Sequence, residues 1–482
     1  MAHTAAKKIE HNYDFDIAII GSGPGGYEAA IRAAQLGYKV CIIEKETSLG
    51  GICLNWGCIP TKSLLKNAEV INMMKHHAAE YGISGIDNMQ VDFTKVIKRS
   101  RDVAGKMAKG VSYLMKKNKI TVKTGYAKLR SAHQIEITAG NDANGGKPEV
   151  ITALHTILAT GTRAKSVPTI PVDRKKIITS YEAMILEKLP ASMTIIGAGA
   201  IGIEFAYVYN SMGTKISIVE FLPNVLPNED EEISRTLERE YKKSGIEVLT
   251  NTKVESVVYD GENVKTTVTL PDGSKKDIVS EYVLVAIGLT GNIENLGLEQ
   301  VGVATDRGFI KTDGYGHTNI EGVYAIGDVT GGMLLAHKAS AEGIVCIEAI
   351  AGFEPQPLVP ENIPACTYCQ PSVAHIGLTE KQAKEKGFEI KVGKFPFSAS
   401  GKATAAGETA GLVKLIFDAK YGELIGAHII GHEATEMIAE LGIAKKMEAT
   451  AEWIHNTVHA HPTFSEAVKE AAADAYGEAI NI

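Results

Sequence analysis

The sequence has few cysteines, no excess of basic residues and no apolar run long enough to span a membrane, and each shortage excludes a class of protein. Six cysteines among 482 residues are too few for a secreted scaffold held by disulfides, so a close pair of cysteines indicates catalysis or metal binding. A formal net charge of -7 argues against a nucleic-acid partner, because phosphates attract basic proteins. The most apolar stretch, residues 193–209, contains Glu204 and three glycines and falls short of the about 20 apolar residues of a membrane-spanning helix. We therefore expect no membrane partner.

The remaining composition is typical of a globular enzyme. The length of 482 residues predicts about three domains, and hydrophobic residues at 45% and charged residues at 22% are ordinary values. Residues 1–16 contain no apolar stretch that would form a secretory signal, so we expect an intracellular, cytoplasmic protein. Glycine is the one enriched type, with 48 residues, which indicates turns where the backbone approaches a ligand.

A dinucleotide-binding pattern lies near the start of the chain. The apolar segment 16–20 predicts a strand, and Gly21, Gly23 and Gly26 follow it at the spacing GxGxxG. In this pattern the first glycine allows a tight turn, the second lets the backbone approach a pyrophosphate, and the third lets a helix pack closely on the strand. Glu44 ends the next predicted strand, 23 positions after the first glycine, where it can accept hydrogen bonds from a ribose.

The same pattern occurs a second time. Segment 193–196 predicts a strand, Gly197, Gly199 and Gly202 follow at the same spacing, and Glu220 again stands 23 positions after the first glycine. Two tight turns without a ligand would leave the paired carboxylates unexplained, so two bound dinucleotides are predicted. The acid at Glu220 favours NAD over NADP, because it would repel a 2′-phosphate.

Cys53 and Cys58 lie in a glycine-rich block shortly after Glu44. Five residues of regular helix rise about 7.5 Å, whereas the Cα atoms of a disulfide lie about 4.4–6.8 Å apart. We therefore predict that the helix is distorted at Gly57 and begins near Cys58, with Pro60 in its first turn. An accessible bridge here would be labile and suited to thiol–disulfide exchange. The alternative is a pair of buried free thiols.

These motifs resemble, from one end of the chain to the other, those of the flavoprotein disulfide reductases. The resemblance is strongest to the members that oxidise dihydrolipoamide. The motifs that carry it are the two glycine patterns, the cysteine block, and residues 159–161 (ATG), 285–288 (VAIG), 324–328 (YAIGD) and 459–463 (HAHPT). One departure stands at residues 289–292 (LTGN), where many relatives have arginine and proline.

The resemblance implies two cofactors, FAD on the first glycine pattern and NAD on the second. Lys62 would lie near the flavin N5 and pair with Glu204, and Asp328 would contact the ribityl chain. The implied FAD-site residues are Gly21, Gly23, Gly26, Glu44, Lys62, Thr160, Gly161, Gly327, Asp328, Ala336 and His459. The implied NAD-site residues are Gly197, Gly199, Gly202, Glu204, Glu220 and Gly288.

The HAHPT motif supplies a candidate acid–base residue. His461 precedes Pro462, so their peptide bond has access to the cis form. Residues 463–466 have the form of a capping box, which would use Glu466 to start a helix. The resemblance instead assigns Glu466 to orienting His461 during proton transfer. We expect the two roles to compete for one carboxylate and the second to prevail.

Two other clusters resemble metal sites. His455, His459 and His461 have ligand-like spacing, but no acid of the HExxH type lies between the first two. Cys366 and Cys369 form a CxxC pair without the second pair that a four-thiolate site requires. We predict no metal, and we expect Cys41 and Cys346 to be buried core thiols, because both lie in apolar segments.

The predicted fold class is α/β, with two Rossmann-like dinucleotide-binding domains, a central segment and a C-terminal α+β dimerisation domain. The predicted boundaries are 1–160 for the FAD-binding domain, 161–289 for the NAD-binding domain, 290–358 for the central domain and 359–482 for the interface domain. Asp-Gly pairs at 260–261 and 272–273 predict hairpin turns. Alternating apolar segments in the last domain predict a mixed sheet covered on one face.

The resemblance implies that a dithiol substrate gives a proton to His461 and attacks the disulfide at Cys53. Cys58 then leaves as a thiolate, and the electrons reach NAD through FAD. The implied partners are a second copy of the chain, in a homodimer, and the lipoyl domains of 2-oxo acid dehydrogenase or glycine cleavage complexes. Alternatives are glutathione reductase, mercuric reductase and a docking subunit without turnover. The acid at Glu220, the absence of a terminal cysteine pair and the intact cysteine block weigh against each in turn.

Overall fold

A computed structural model of the chain describes residues 12–139 and 148–482. Residues 1–11, on which part of the secretory-signal prediction rests, lie outside the described residues. The chain forms two compact units, the first from Met1–Ser63, Lys98–Lys165 and Leu289–Leu358, the second from Leu64–Ile97, Ser166–Gly288 and Val359–Ile482. Across the described ranges, we find no helix with the length and apolarity needed to cross a bilayer.

The described residues form both strands and helices. The strands are β1 (Phe15–Ile20), β2 (Val40–Glu44), β3 (Thr121–Thr124), β4 (Tyr126–Ser131), β5 (Gln134–Thr138), β6 (Glu149–Leu158), β7 (Thr162–Ala164), β8 (Ile177–Ile178), β9 (Ser192–Ile196), β10 (Lys215–Val219), β11 (Glu247–Leu249), β12 (Lys253–Asp260), β13 (Asn263–Thr269), β14 (Lys275–Ser280), β15 (Tyr282–Val285), β16 (Leu289–Gly291), β17 (Thr305–Asp306), β18 (Phe309–Ile310), β19 (Val323–Ala325), β20 (Ala365–Thr367), β21 (Ser372–Gly377), β22 (Ile390–Pro396), β23 (Leu412–Asp418) and β24 (Leu424–Gly431). The helices are α1 (Pro24–Gln35), α2 (Gly51–Trp56), α3 (Cys58–Asn72), α4 (Phe93–Lys117), α5 (Ser180–Ala183), α6 (Ala200–Met212), α7 (Glu231–Lys243), α8 (Leu298–Val301), α9 (Ala336–Ile350), α10 (Glu380–Glu385), α11 (Gly401–Ala406), α12 (Ala434–Lys446), α13 (Ala451–Asn456) and α14 (Glu466–Asp474).

The first unit is built on one large sheet. Its strand order is β3-β2-β1-β6-β5-β4, with β19 beside β6, and the strands β3, β2, β1, β6 and β19 are parallel. Except for Asp16 near its start, β1 is apolar, because parallel strands are covered on both faces. α1 lies close to α9, since a Cβ on Gly343 would come within 2.8 Å of the Gly25 carbonyl oxygen. This close contact is possible because both positions are glycine, and it anchors the helix that follows the first glycine loop.

The second unit contains a parallel sheet and two antiparallel sheets. The parallel sheet has the order β11-β10-β9-β15-β8 and repeats the strand–loop–helix arrangement of the first unit. Strands β12, β13 and β14 form two consecutive hairpins, which confirms the turns predicted at 260–261 and 272–273. The α/β fold class predicted from the sequence is likewise confirmed.

The prediction for the C-terminal sheet was wrong in two respects. The sheet β20-β21-β24-β23-β22 is antiparallel throughout rather than mixed. It is also covered on both faces, because every residue of β24 is buried. The second covered face was not predictable from the sequence, because that face carries polar residues. Lys414, on β23, is 2% exposed and His428, on β24, is fully buried. Lys414 is compensated there by ion pairs with Asp230 and Glu380 at 2.9 and 2.8 Å.

Candidate active site and cofactor sites

The three glycines of the first loop have different structural requirements. Gly21 has φ 106°, and a Cβ there would lie 2.3 Å from the Ala159 carbonyl oxygen. A Cβ on Gly26 would lie 2.0 Å from the Gly21 carbonyl oxygen. Gly23 precedes Pro24, the first residue of α1, and nothing lies within 4 Å of its Cβ position. Gly21 and Gly26 therefore serve the packing of the chain, whereas Gly23 leaves open space at a helix N-terminus, where a pyrophosphate fits.

The second loop has the same geometry. Gly197 has φ 101°, and its Cβ would lie 2.4 Å from the Ala286 carbonyl oxygen, while a Cβ on Gly202 would lie 2.0 Å from the Gly197 oxygen. Gly199 again borders open space directly before a helix, here α6. Gly288, with φ 113°, also has nothing within 4 Å of its Cβ position. The second unit thus offers a second place for a dinucleotide.

The two acids at the strand ends hold equivalent positions beside these loops. Glu44 is buried, and its Oε2 accepts hydrogen bonds from the Ser22 N–H at 3.0 Å and the Ser22 hydroxyl at 2.6 Å. Glu220 is buried too, and its Oε2 accepts the Ala198 N–H at 2.6 Å. The Oε1 of each accepts a backbone N–H two residues later in the chain. Each carboxylate keeps further lone pairs, so both acids fit a ribose hydroxyl.

The glycine geometry predicts a difference between two alanine variants. Gly26→Ala is expected to destabilise the fold, because its methyl group would overlap a backbone oxygen. Gly23→Ala is expected to fold normally but to bind FAD about tenfold or more weakly, because its methyl group would fill the space of the pyrophosphate. Thermal unfolding of the apoproteins and flavin titration measure the two effects. Equal FAD affinity of Gly23→Ala and the wild type would contradict the assignment of this loop.

Residues 289–292, which depart from the family pattern, contact residues 159–161. β16 pairs antiparallel with β7. The Asn292 amide donates to the Thr160 carbonyl at 2.9 Å, and the Thr160 hydroxyl donates to the Asn292 carbonyl at 2.8 Å. The Asn292 N–H donates to the carbonyl of Gly161, which has φ 67°. Asn292, within the segment that departs from the family pattern, thus holds Thr160 and Gly161 by hydrogen bonds.

Gly327 and Asp328 begin a short helical turn, Gly327–Thr330, at the end of β19. The Gly327 N–H donates to Glu342 Oε2 at 2.8 Å, and the Thr162 hydroxyl donates to Asp328 at 3.2 Å. Burial raises the pKa of Asp328. Ala336 is the first residue of α9, so its N–H is among those that a helix leaves without an intrahelical partner. These groups fit hydrogen bonding to a polar chain.

Cys53 and Cys58 are brought together across a helix break, as predicted. α2 ends before Gly57, whose φ of -146° and ψ of -113° are not helical, and α3 starts at Cys58. Both cysteines are free thiols in this structure, and their side chains share a hydrogen bond. That bond, burial and the charge of Cys58 raise the pKa of Cys53, whereas Lys62 lowers it and Asp328 raises it further. A disulfide between the two stays a prediction.

His461 and Glu466 form a dyad after a cis peptide bond at Pro462. His461 Nδ1 lies 2.9 Å from Glu466 Oε1, and Glu466 Oε2 accepts the Thr463 N–H, also at 2.9 Å. The capping box predicted at residues 463–466 was wrong, because Glu466 is the first residue of α14 and no side chain among the described residues caps that helix. Burial opposes ionisation, but these hydrogen bonds hold the pKa of Glu466 below its usual value. The Thr463 hydroxyl donates to Ala460 instead of capping, so α14 begins only at Glu466.

His459 has a partner that the sequence did not reveal. Its Nε2 lies 2.6 Å from Glu440 Oε1 and its Nδ1 lies 3.0 Å from the Thr457 carbonyl oxygen. Two acceptors on two ring nitrogens favour the imidazolium form, and the Glu440 hydrogen bond raises the pKa of His459. Glu440 lies 19 positions earlier on α12, where it has no local motif. The role of His459 toward FAD stays a prediction.

Glu440→Gln is expected to destabilise the protein by about 1 kcal/mol near neutral pH, because it weakens a hydrogen bond to a charged and largely buried imidazole. A histidine whose pKa is raised by folding stabilises the fold fully when the pH is below its unfolded-state pKa. This stabilisation is lost as the pH rises through its folded-state pKa. The difference between variant and wild type should therefore shrink in alkaline buffer. Urea unfolding at about pH 6 and about pH 9 measures it. Glu436→Gln, an exposed change on the same helix, is the control, and a pH-independent difference would exclude the charged pair.

The remaining cysteines are not gathered into a site. Cys366 lies on β20 and packs in one apolar cluster, while Cys369 is buried in another. Cys41 and Cys346 are buried core thiols, as predicted, and burial raises the pKa of Cys41 to about 12. Within the described ranges, no group of three or more potential ligands suits a metal ion. The prediction that the protein needs no metal stays a prediction.

The two units divide the predicted residues between them. The first unit holds the first glycine loop, the cysteine pair, Lys62 and Asp328. The second unit holds the second glycine loop, the His461 dyad and Glu204. Glu204 is a buried acid on α6, and its Oε1 accepts the Tyr368 N–H at 3.0 Å. The pairing of Lys62 with Glu204 stays a prediction.

Comparison with known proteins identifies the family of the chain. Residues 15–343 match the family model described as pyridine nucleotide-disulphide oxidoreductase, and residues 363–472 match the dimerisation domain of that family. A dihydrolipoyl dehydrogenase of Chlorobaculum tepidum is 49% identical over 96% of this chain and 97% of its own, and one of Rhizobium etli is 46% identical over 97% and 99%. The crystal structure of LpdA from Mycobacterium tuberculosis superposes with a TM-score of 0.87 at 25% identity, covering 95% of this chain and 98% of its own. The chain belongs to the pyridine nucleotide-disulphide oxidoreductase family.

Proposed function

We propose that the chain oxidises protein-bound dihydrolipoamide to lipoamide and reduces NAD, using a redox-active cysteine pair and FAD. The observation that carries the proposal is the contact of Cys53 with Cys58 across the break at Gly57, in the unit that holds the first dinucleotide loop. The dihydrolipoyl dehydrogenases that resemble the chain over nearly its full length support the substrate. The acid at Glu220 supports NAD as the acceptor.

The chain's own residues account for the thiol chemistry. Glu466 holds His461 Nδ1, which leaves Nε2 to take the proton of a substrate thiol. The resulting substrate thiolate attacks the Cys53 sulfur of the oxidised pair, and the disulfide breaks with Cys58 as the leaving thiolate. The second substrate thiol then breaks the mixed disulfide and releases lipoamide, and Cys53 takes back a proton. The raised pKa of Cys53 matches this last step.

When bound, FAD accepts the electron pair of the reduced cysteines and passes a hydride to NAD. The residues that would hold FAD are Gly23, Glu44 and the groups around Asp328, and those that would hold NAD are Gly199, Glu220 and Gly288. Their glycines border open space at helix starts or turns, and their acids are oriented by backbone N–H groups. The described residues therefore fit both cofactors.

The proposed function also indicates the partners of the chain and its location in the cell. The match to the dimerisation domain supports a homodimer. We infer lipoyl domains of 2-oxo acid dehydrogenase or glycine cleavage complexes as the substrate carriers, because a dihydrolipoyl arm is the dithiol that the relatives' name specifies. The cytoplasm is the inferred location, since a cysteine pair that must cycle suits a compartment that keeps other thiols reduced.

The test is steady-state reduction of NAD and, separately, NADP by dihydrolipoamide with the FAD-loaded enzyme. We expect turnover with NAD and at least about tenfold lower kcat/KM with NADP. Turnover with glutathione disulfide and NADPH alone would assign the chain to another member of the family. Flavin reduction by NADH without any turnover of lipoamide would show that a different disulfide is the substrate.

A further inference from the structure

Three consecutive residues of α4 contact the segment that contains and follows the cysteine pair. The Arg101 guanidinium carbon lies 4.1 Å from the centroid of the Trp56 ring. The Ser100 hydroxyl donates to the Pro60 carbonyl at 3.2 Å. Arg99 Nη1 donates to the Ser63 hydroxyl at 2.7 Å and to its carbonyl at 3.1 Å. We call Arg99, Ser100 and Arg101 the α4 clamp.

The Arg101 contact lies where the cysteine segment is least regular. Trp56 is the last residue of α2 and stands between Cys53 and Cys58, directly before the non-helical Gly57. Within the segment, the Asn55 amide ties the start of α2 by donating to the Leu49 and Gly51 carbonyls at 3.0 Å. A glycine follows the end of α2 and adds backbone freedom there.

The start of α3 is fixed separately. The Thr61 hydroxyl and N–H both donate to the Gly57 carbonyl, at 2.7 and 3.1 Å. Ser100 and Arg99 hold the next turns of α3 through Pro60 and Ser63. Cys58 is therefore anchored by its own helix, whereas the position of Cys53 relative to it depends on how the end of α2 is held. Arg101 stacks on that end from another helix.

We propose that Arg101 is a positioning residue that, by stacking on Trp56, holds Cys53 against Cys58 and so sets the equilibrium between the disulfide and the dithiol. The inference rests on the proposed function in that the pair is taken to be redox-active. Two electrons and two protons from a dithiol reductant break the Cys53–Cys58 bond and yield two thiols, while the reductant closes to its own disulfide. Closure of the protein bond is favoured when the two sulfurs are already held together.

Releasing Trp56 adds freedom to the reduced pair, so closing the disulfide becomes less favourable and the couple becomes more oxidising. We expect a tenfold fall in the equilibrium constant for disulfide formation, which corresponds to about 30 mV. Charge is not the cause, because Lys62 is the cation that acts on Cys53. A guanidinium presents a planar face to an aromatic ring, whereas an ammonium group has no such face, so Arg101→Lys keeps the charge but loses the planar stacking.

The experiment is a redox titration of the full-length FAD-loaded enzyme in dithiothreitol buffers, read by alkylation of free thiols and mass spectrometry of the peptide with Cys53 and Cys58. Arg101→Lys and Trp56→Val should each shift the equilibrium about tenfold, and Trp56→Phe should restore most of the wild-type value. The double variant Arg101→Lys/Trp56→Val should shift no further than either single change. Lys106→Gln, exposed on the same helix, is the matched control and should not shift.

A wild-type equilibrium in Arg101→Lys, or additive shifts in the double variant, would overturn the inference. If Arg101→Lys does not fold, Trp56→Val and Trp56→Phe test the same contact from its other side, and equal values for these two variants would overturn it. The titration uses dithiothreitol and not lipoamide. Shifted variants of an enzyme without lipoamide turnover would therefore refute the proposed function alone, and unshifted variants of an active enzyme would refute the inference alone.

Discussion

Replacement of Cys53 by serine is expected to abolish lipoamide-dependent reduction of NAD, by about 10³-fold or more in kcat/KM. A hydroxyl cannot form the mixed disulfide through which the substrate's electrons enter. The protein should still fold, because serine occupies nearly the same volume at a half-buried position. Steady-state assays with dihydrolipoamide and NAD, together with thermal unfolding, measure both properties.

Cys58→Ser should lose turnover as well, but for a different reason. The Cys53 thiolate can still attack the disulfide of added lipoamide, which breaks that S–S bond and releases one lipoyl thiol. Alkylation of the released thiol should trap the mixed disulfide on Cys53 for mass spectrometry. Cys366→Ser is the matched control, since Cys366 is also half-buried and lies on β20, outside the pair. Retained activity in Cys53→Ser, or an adduct on any other cysteine, would contradict the assignment of the entry sulfur.

Removal of the imidazole in His461→Gln is expected to lower kcat/KM for dihydrolipoamide by about 10²- to 10⁴-fold, because the substrate thiol then loses its proton acceptor. Reduction of the flavin by NADH should be retained, since that step involves no substrate thiol. Glu466→Gln should cost less, because an amide oxygen can still accept a hydrogen bond from His461 Nδ1. The measurement is a pair of assays, one with dihydrolipoamide and one with NADH alone, on each variant.

The pH dependence follows from the lowered pKa of Glu466. A carboxyl group whose pKa is lowered by folding stabilises the fold fully when the pH is above its unfolded-state pKa. This stabilisation is lost as the pH falls through its folded-state pKa. The stability difference between wild type and Glu466→Gln should therefore vanish in strongly acidic buffer.

His455→Gln is the control for the activity loss of His461→Gln, and it should keep its activity with dihydrolipoamide. If His455→Gln lost as much activity as His461→Gln, the result would instead favour a site that uses His455, His459 and His461 together.

Patterns of short range were predictable because local backbone geometry imposes them. A GxGxxG loop needs its first glycine for a positive φ and its third to pass a carbonyl oxygen, and both requirements are met at Gly21 and Gly26. The break between α2 and α3 followed from the rise of a helix over five residues, which would hold Cys53 and Cys58 apart. The hairpin turns at 260–261 and 272–273 followed from Asp-Gly pairs.

Contacts between distant segments were not predictable in the same way. Glu440 on His459, Asn292 on Thr160 and Arg101 on Trp56 join residues with no fixed spacing, and each partner alone is an ordinary surface or loop residue in the sequence. Glu466 illustrates the same limit, because only the structure shows that its carboxylate contacts His461 and the Thr463 N–H while α14 begins at Glu466 without the predicted capping box.

The sequence by itself determined the fold class, the two dinucleotide loops and which cysteine pair is proposed as reactive, because all of these depend on residue type at short spacing. The tertiary structure alone decided how those groups are held. It put Asp230 opposite Lys414, so that a polar face of the C-terminal sheet is buried, and it stacked a guanidinium on the residue between the cysteines. Packing brings such partners together from tens or hundreds of positions apart, and no local pattern records that distance.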